Sequence, residues 1–291
     1  MRRTLLYVPG NNPGMLRDAG IYPADCLLFD LEDSVSVLEK DAARMLVREA
    51  LVSMEYPGKE VFVRVNAPST PWGLEDLNAI VPTGKAGIRL PKAEDAQDVA
   101  DCEREIERIE TQCGLPVGST RMMAAVESAT GVLNARQIAA SSKRLVAIAI
   151  GAEDYVTDLK TTRSAEGVEL LFGRSMVLLA ARAAGIDAID TVFSNVNDEE
   201  GLRRETALIK QLGFDGKSVI NPRQIGPVHE VFAPTDDEIT KAKRILAASE
   251  EAERRGSGVV SLNGKMIDRP VVLRARRTLE LAAGRRRGHA L

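Results

Sequence analysis

Residues 122–154 read MMAAVESATGVLNARQIAASSKRLVAIAIGAED and contain the repeating unit of the chain. Two short and mostly apolar runs, Met122–Glu127 and Leu145–Ile150, are joined by a longer segment of helical period. Apolar runs of this length are typical of strands that are buried on both faces of a parallel sheet. The stretch therefore predicts a strand, a helix and a second parallel strand, with acidic residues directly after each strand.

The same alternation recurs, and it predicts eight strands: Thr4–Val8, Cys26–Asp30, Val61–Asn66, Gly87–Leu90, Met122–Glu127, Leu145–Ile150, Ala188–Phe193 and Lys217–Ile220. Strands that alternate with helices favour a β/α repeat over a sandwich or a helical bundle. A length of 291 residues suits one barrel with a modest appendage. We therefore predict an α/β fold, a (β/α)8 TIM barrel over residues 1–230, and a C-terminal helical extension over residues 231–291.

Helix boundaries are marked in the sequence as well. Asn12 precedes Pro13, which is the pair expected at the N-cap and the first position of a helix. The stretch Ala93–Cys113 has apolar residues at helical spacing and predicts an amphipathic helix outside the barrel. Three glycines follow helical runs and are expected to be C-caps: Gly114, Gly185 and Gly213.

Composition excludes several classes of protein. Hydrophobic residues make up 44% and charged residues 28%, which argues against a disordered chain and against a membrane protein. A net charge of -3 predicts no strong binding to nucleic acid or anionic lipid. The residues before Pro9 contain too few apolar side chains for a secretory signal or a membrane span, and three cysteines without metal-like spacing fit a reduced, cytoplasmic setting.

The scarcity of histidine narrows the chemistry. The chain contains only two histidines, His229 and His289, so a zinc hydrolase or a Ser-His-Asp enzyme is not expected. We interpret His229 as a surface or packing residue rather than a catalyst.

Two carboxylates follow consecutive predicted strands. Glu127 ends strand five and Asp154 follows strand six, so the barrel should bring them side by side at its C-terminal rim. Hard oxygen ligands of this kind favour Mg²⁺, with Mn²⁺ as an alternative, and substrate and water would complete the coordination. The competing interpretation is that both acids cap the helices that follow them.

Other polar residues converge on the same rim. Arg64 lies within strand three and offers a planar fork of donors for a carboxylate or a developing oxyanion. Asp30 is the last residue of strand two and Glu32 follows it; both are predicted either to hold metal-bound waters or to orient Arg64 and Lys92. Lys92 follows strand four, and it either makes ion pairs with the substrate or these acids, or forms a Schiff base with a carbonyl substrate.

The extension contains a glycine-punctuated segment, residues 256–269, that has an acid, Asp268, just before Pro270. Such a segment predicts a lid that carries a functional group. The alternative is a structural turn between two helices.

The ordered motifs RTLLYVPGNNPGM, FDLEDSV, VRVNAP, IRLPKAED, AVESATGV, IGAEDYVTDL, GFDGKSVINPRQI and GVVSLNGKMIDRPVV carry a family resemblance. Together they resemble the citrate lyase β subunit, within the group that includes malyl-CoA lyases and HpcH/HpaI-type aldolases. The resemblance runs from Arg3 to Val272. It is specific because several motifs occur in one order across eight strand ends.

The resemblance implies a lyase that cleaves a citryl thioester, carried on an acyl carrier protein, into acetyl thioester and oxaloacetate. It implies Mg²⁺ at Glu127 and Asp154, and substrate contacts at Arg64 with Asp30 and Glu32 beside it. It further implies a homotrimer or larger homo-oligomer in which Asp268 reaches a neighbouring subunit's site, and a companion acyl-transferase subunit.

Asn221 distinguishes branches of this group. Relatives that cleave acyl-CoA usually have histidine in the turn that reads Ile220-Asn221-Pro222 here, so Asn221, a predicted substrate contact, favours the citrate lyase branch. A malyl-CoA or citramalyl-CoA lyase acting on free acyl-CoA is the second interpretation. A non-catalytic subunit that binds a thioester or a carrier protein is the third.

Overall fold

Eight parallel strands form a closed barrel in the order of the chain, which confirms the predicted fold class. The computed structural model describes residues 1–254, 260–262 and 265–287. It divides into two units, Arg2–His229 and Glu230–Leu291 with Met1, and the barrel lies in the first. The barrel strands are β1 Thr4–Pro9, β2 Cys26–Asp30, β3 Glu60–Arg64, β4 Gly87–Leu90, β5 Met122–Val126, β6 Leu145–Ile150, β7 Asp187–Asp190 and β8 Gly216–Val219.

Helices follow the strands. They are α1 Pro13–Asp18, α2 Lys40–Ser53, α3 Gly73–Ile80, α4 Ala96–Cys113, α5 Ala129–Leu133, α6 Ala135–Ala140, α7 Ala152–Asp158, α8 Leu171–Ala184, α9 Glu199–Leu212 and α10 Ile225–Phe232. Short 3₁₀ helices occupy Ala19–Ile21, Val37–Glu39, Val81–Thr83, Val168–Leu170 and Pro222–Gln224.

The predicted caps are confirmed, but α4 begins at Ala96, three residues after the start of the predicted stretch Ala93–Cys113, because Asp95 is its N-cap. The Asn12 side chain accepts a hydrogen bond from the backbone N–H of Met15 at 3.0 Å, and Pro13 opens α1. Left-handed backbone ends α4, α8 and α9 at the three predicted C-cap glycines, Gly114, Gly185 and Gly213. On α4 the predicted apolar face is buried, and it consists of Val99, Cys102, Ile106 and Ile109.

Two strands, β3 and β7, end two or three residues earlier than predicted, because side chains bind the backbone groups that a longer strand would use. β3 ends at Arg64 rather than Asn66, since the N–H of Asn66 donates to the Asp76 carboxylate at 2.9 Å. β7 ends at Asp190 rather than Phe193. The carbonyls of residues 191–193 accept instead from the side chains of Lys217, Arg163 and Gln224.

The barrel interior is apolar below the polar rim. Its buried cluster is Leu5, Cys26, Leu28, Phe62, Met123, Ala147, Ala149 and Ile189. Gly87 is required here, because a Cβ at that position would lie 2.3 Å from a ring carbon of Phe62. His229 packs at the start of β1, with its Nε2 2.8 Å from the Thr4 hydroxyl, which agrees with its interpretation as a packing residue.

A buried ion pair connects Glu110 of helix α4 with Arg144, the residue before β6. Glu110 on α4 accepts two hydrogen bonds from the Arg144 guanidinium, at 2.9 and 2.7 Å, and further bonds from the N–H groups of Gly118 and Thr120. Burial opposes ionisation of Glu110, but these donors prevail and lower its pKa from 4.5 to about 2. The charged form of Glu110 is therefore favoured by folding.

Glu110→Gln is expected to destabilise the protein by about 3 kcal/mol at neutral pH, because it leaves the buried guanidinium of Arg144 without its buried anion. Because the folded-state pKa is lowered, the stabilisation is complete above pH 4.5 and disappears as the pH falls towards 2. Urea unfolding across this range measures it. A difference between variant and parent that stays constant from neutral pH to about pH 3 would contradict the prediction.

The second unit contains two long helices and a pair of antiparallel strands. They are α11 Asp236–Arg254, the antiparallel strands β9 Val260–Leu262 and β10 Lys265–Ile267, and α12 Arg269–Arg287. None of the helices in the described part of the chain has the length and apolarity needed to cross a membrane.

Candidate active site

One cavity of about 410 Å³ opens at the carboxyl ends of the barrel strands. Every strand, or the turn after it, contributes to the lining: Tyr7, Asp30, Arg64, Arg89, Glu127, Asp154, Thr191 and Ser218. This is the end of a TIM barrel where catalytic residues lie. The predicted convergence of polar strand ends on one rim is therefore present.

Glu127 is buried at the end of β5 with one oxygen unsatisfied. Its residue is 5% exposed, and its Oε2 has no hydrogen-bond partner. Burial, and then the negative charge of Glu32, raise the pKa of Glu127 to about 7, although the cations Arg64 and Arg89 oppose the shift. An acid in this setting favours a cation as its partner, because a positive charge would offset the penalty of burial.

The backbone at Gly151, directly after β6, lies very close to the carboxylate of Glu127. A Cβ added at Gly151 would lie 2.7 Å from the Cγ of Glu127 and 2.8 Å from its Oε1. Only glycine allows this close approach. Asp154 follows three residues later in the first turn of α7, and its half-exposed carboxylate lines the same cavity.

Neither acid caps a helix. Ser128, not Glu127, is the N-cap of α5, and its hydroxyl accepts from the N–H of Gly131 at 3.1 Å. Gly151 occupies the N-cap of α7, and no side chain caps that end. The geometry thus favours a shared cation over the capping interpretation, and cation binding by Glu127 and Asp154 stays a prediction at this point.

Arg64 is held in a fixed orientation. Its Nε and Nη2 donate to the two oxygens of Asp30 at 2.7 and 2.8 Å, and its Nη1 lies 2.8 Å from Glu32 Oε2. Burial would raise the pKa of Asp30, but the bonds from Arg64 hold it below its usual value. Asp30 also accepts from the N–H groups of Glu32 and Ser34. Of the two predicted roles for Asp30 and Glu32, this geometry favours the orientation of Arg64.

Lys92 points at the same acids. Its Nζ lies 2.7 Å from Glu32, 3.5 Å from Asp33 and 3.9 Å from Asp154. Burial opposes its charge, but these carboxylates prevail and raise the pKa of Lys92. Its backbone has a φ of 50°, in the left-handed region that residues with a side chain seldom adopt. Lys92 is therefore a charged ion-pairing group, held by a strained backbone at the rim.

Comparison with known proteins identifies the family of this chain. Residues 3–222 match the family described as HpcH/HpaI aldolase/citrate lyase. The chain belongs to this family. Over 97% of its length it is 57% identical to the citrate lyase subunit beta of Leuconostoc mesenteroides subsp. cremoris, covering 93% of that protein, and 55% identical to that of Escherichia coli (strain K12), again covering 93%. It is 38% identical over 96% of its length to a (3S)-malyl-CoA thioesterase of Cereibacter sphaeroides (strain ATCC 17025), covering 94% of that protein.

Solved structures of this aldolase/citrate lyase family share the fold. The protein CitE of Mycobacterium tuberculosis, in complex with magnesium, acetoacetate and coenzyme A, superposes with a TM-score of 0.79 at 32% identity, over 97% of this chain and 98% of that one. The citrate lyase beta subunit of the same organism, complexed with oxaloacetate and magnesium, gives 0.68 at 32% identity, over 79% and 96%.

Three predicted site residues of the barrel, Glu32, Lys92 and Asn221, are not among those that line the cavity. The Asn221 side chain caps the 3₁₀ helix Pro222–Gln224 and accepts from the N–H of Arg223 at 3.0 Å. Asp268 lies in the second unit, where its exposed side chain accepts from the N–H of Val271 at 3.1 Å at the start of α12. Residues 256–259 and 263–264 of the predicted lid lie outside the described residues. The roles of Asn221, Asp268 and the lid stay predictions.

Sequence reasoning missed Arg89, a residue of β4 that is 1% exposed and lines the cavity. The same signal that identified Arg64, an arginine inside an apolar strand, was present in the run Gly87–Leu90. The two arginines are register partners on β3 and β4. Both guanidinium groups face the ring of Tyr7, at 5.0 Å from Arg64 and 5.8 Å from Arg89.

Proposed function

We propose that the chain is the citryl-thioester lyase of a citrate lyase system. It cleaves a citryl thioester, carried by an acyl carrier protein, into acetyl thioester and oxaloacetate with the help of Mg²⁺. The observation that carries the proposal is the buried Glu127, whose unpartnered oxygen faces a cavity also lined by Asp154. The similarity to citrate lyase beta subunits at 55–57% identity supports the choice of substrate.

The donor set suits Mg²⁺, with Mn²⁺ as the alternative. One or two carboxylates, completed by substrate and water, are the usual protein ligands of Mg²⁺. Within residues 1–254, 260–262 and 265–287, no group of three or more acidic, histidine or cysteine side chains forms a ready cation site. Glu127 and Asp154 would therefore hold the ion as a pair, open on the side from which substrate enters.

The residues around Glu127 and Asp154 have separate roles in the reaction. When bound, Mg²⁺ supplies Lewis-acid stabilisation to the substrate hydroxyl oxygen and the carboxylate beside it. Arg64 donates to the oxygen on which negative charge develops, and Asp30 keeps its guanidinium in place. Glu32 and Lys92 hold each other at the rim, so that Lys92 is available as a cation for the substrate.

The electron count is simple. The substrate hydroxyl loses its proton, its oxygen forms the keto group of oxaloacetate, and the electrons of the broken carbon–carbon bond pass to the thioester enolate. That enolate carbon takes up a proton and becomes the acetyl methyl group. Asp268 from a neighbouring subunit of a homotrimer or larger assembly is our candidate for this proton exchange.

The biological setting follows from the same proposal. An acyl carrier protein would deliver the citryl group, and a companion acyl-transferase subunit would load it. We place the assembly in the cytoplasm. A second candidate, cleavage of malyl-CoA or citramalyl-CoA as free thioesters, is favoured by the 38% identity to a (3S)-malyl-CoA thioesterase.

A thioester panel tests the function. The purified chain is incubated with Mg²⁺ and citryl-CoA, citryl carrier protein, malyl-CoA or citramalyl-CoA, and the ketoacid product is measured with a coupled dehydrogenase. We expect oxaloacetate from the citryl thioesters, and faster turnover on the carrier protein. Faster release of glyoxylate or pyruvate would establish the second candidate. If no thioester yields a ketoacid, the chain is a non-catalytic subunit that binds thioesters.

Lys92 is expected to form no Schiff base. A nucleophilic lysine must lose its proton, and the acids around Lys92 instead raise its pKa. Borohydride added during turnover should leave the protein mass unchanged, and EDTA should abolish activity. A mass increase at Lys92 that depends on substrate would contradict the metal mechanism.

A further inference from the structure

Arg89 carries a buried positive charge that no carboxylate of the described residues pairs with directly. It is 1% exposed, and its Nε and Nη1 have no hydrogen-bond partner. Among the described residues its guanidinium is in no ion pair, whereas Arg64 next to it is bound by Asp30 and Glu32. A buried cation without an anion is costly, and it is retained where a ligand supplies the anion.

The position of Arg89 places that missing anion in the active-site cavity. Arg89 pairs in register with Arg64 on one side and with Met123 of β5 on the other. It therefore lies between the strand of Arg64 and the strand that ends at Glu127, and it lines the same cavity. A carboxylate bound beside Glu127 and Arg64 could extend a second arm towards the free donors of Arg89.

The proposed substrate has such a second arm. A citryl thioester carries two free carboxylates, one on the carbon that bears the hydroxyl and one on a carboxymethyl group. The first is assigned to the Glu127–Asp154 site and Arg64, but nothing so far binds the second. An arginine fork is the group best suited to a carboxylate, because two parallel N–H donors match its two oxygens.

We propose that Arg89 binds the carboxymethyl carboxylate of the citryl group, which remains as the second carboxylate of oxaloacetate, and so makes the site selective for dicarboxylate substrates. This inference rests on the proposed function and adds its determinant of specificity. A malyl or citramalyl thioester lacks this carboxylate and leaves Arg89 unpaired. The competing explanation is that Arg89 only offsets the negative charge of Glu127 and Asp30.

Two product ketoacids separate these explanations. Oxaloacetate and pyruvate share the keto group and the adjacent carboxylate, and only oxaloacetate has the second carboxylate. Their affinities for the full chain are measured by calorimetry with Mg²⁺ and acetyl-CoA present, in the parent, Arg89→Gln and Arg89→Lys. Arg121→Gln is the matched control, because Arg121 lies just before β5 in an exposed ion pair with Glu60.

We expect Arg89→Gln to lower the affinity for oxaloacetate about 10²-fold and the affinity for pyruvate less than about 3-fold. Only oxaloacetate makes the buried charge-assisted contact that the variant loses. Arg89→Lys should recover part of the oxaloacetate affinity, and Arg121→Gln should change neither affinity. An equal loss for both ketoacids, or no loss, would overturn the proposal. If Arg89→Gln does not fold, the ratio of the two affinities in Arg89→Lys decides in the same way.

Failure of the proposed function has a different signature. In that case the unaltered chain would release no oxaloacetate from any citryl thioester, whatever the behaviour of the Arg89 variants. If the unaltered chain cleaves citryl-CoA and the ratio of oxaloacetate to pyruvate affinity is the same in parent and variants, only the role of Arg89 is rejected.

Discussion

Glu127→Gln is expected to lower kcat for citryl-thioester cleavage by at least about 10³-fold, which corresponds to the several kcal/mol that a catalytic metal contributes to the transition state. The amide keeps the size of the side chain but cannot supply an anionic oxygen to Mg²⁺. The fold should be unaffected, because Glu127 Oε2 has no hydrogen-bond partner to lose. Burial already disfavours the charged form of Glu127, so a neutral amide should be tolerated.

Three measurements check this result. Calorimetric titration with Mg²⁺ should show weaker binding, a coupled assay for oxaloacetate should show the loss of kcat, and the melting temperature should stay close to that of the parent. Glu153→Gln is the matched control, since Glu153 precedes Asp154 but is bound to Arg163 and Ser194. Full activity of Glu127→Gln after exhaustive removal of metal would disprove the metal assignment.

Arg64→Lys is expected to lower kcat by about 10²-fold, the loss associated with removing one donor to a developing oxyanion. Lysine retains the charge but cannot make the paired bonds to Asp30 at 2.7 and 2.8 Å while it also donates to substrate. KM should change less than kcat, because the lost contact is strongest in the transition state.

Asp30→Asn separates positioning from direct contact. Asp30 does not need to touch substrate if its role is to hold Arg64, so this variant should lower kcat less than Arg64→Lys does. The double variant should lose little more than Arg64→Lys alone, since both changes act on one interaction. Independent, additive losses in kcat would show that Asp30 acts on the substrate by itself.

That Glu127 and Asp154 line one cavity could be predicted from sequence, because barrel topology determines which strand ends are neighbours. Glu127 and Asp154 each follow an apolar run within a few residues, and consecutive parallel strands end side by side. The sequence did not decide against the alternative that both acids cap helices; the backbone disfavours it, because it places Ser128 and Gly151 at the caps. The position of an acid along the chain predicts which strand ends lie beside it. Its hydrogen bonds in the structure indicate which role it has there.

Arg89 is a residue whose role was not predicted from the sequence. Its guanidinium is notable because it lacks hydrogen-bond partners, and the neighbouring residues in the sequence do not show which partners a buried side chain lacks. Lys92 is a similar case, because nothing in the run IRLPKAED indicates a left-handed backbone at a lysine. The ends of β3 and β7 were also misplaced, since distant side chains bind the backbone groups beyond them.

The close contact between Gly151 and Glu127 restricts how this protein can change over time. Any side chain at residue 151 would displace the carboxylate that lies 2.8 Å from its Cβ position, although residue 151 itself has no functional group. A duplicated gene could thus lose catalysis through one methyl group while retaining every acid of the site. We expect a paralogue that has both carboxylates but a side chain at this position to have lost the lyase activity.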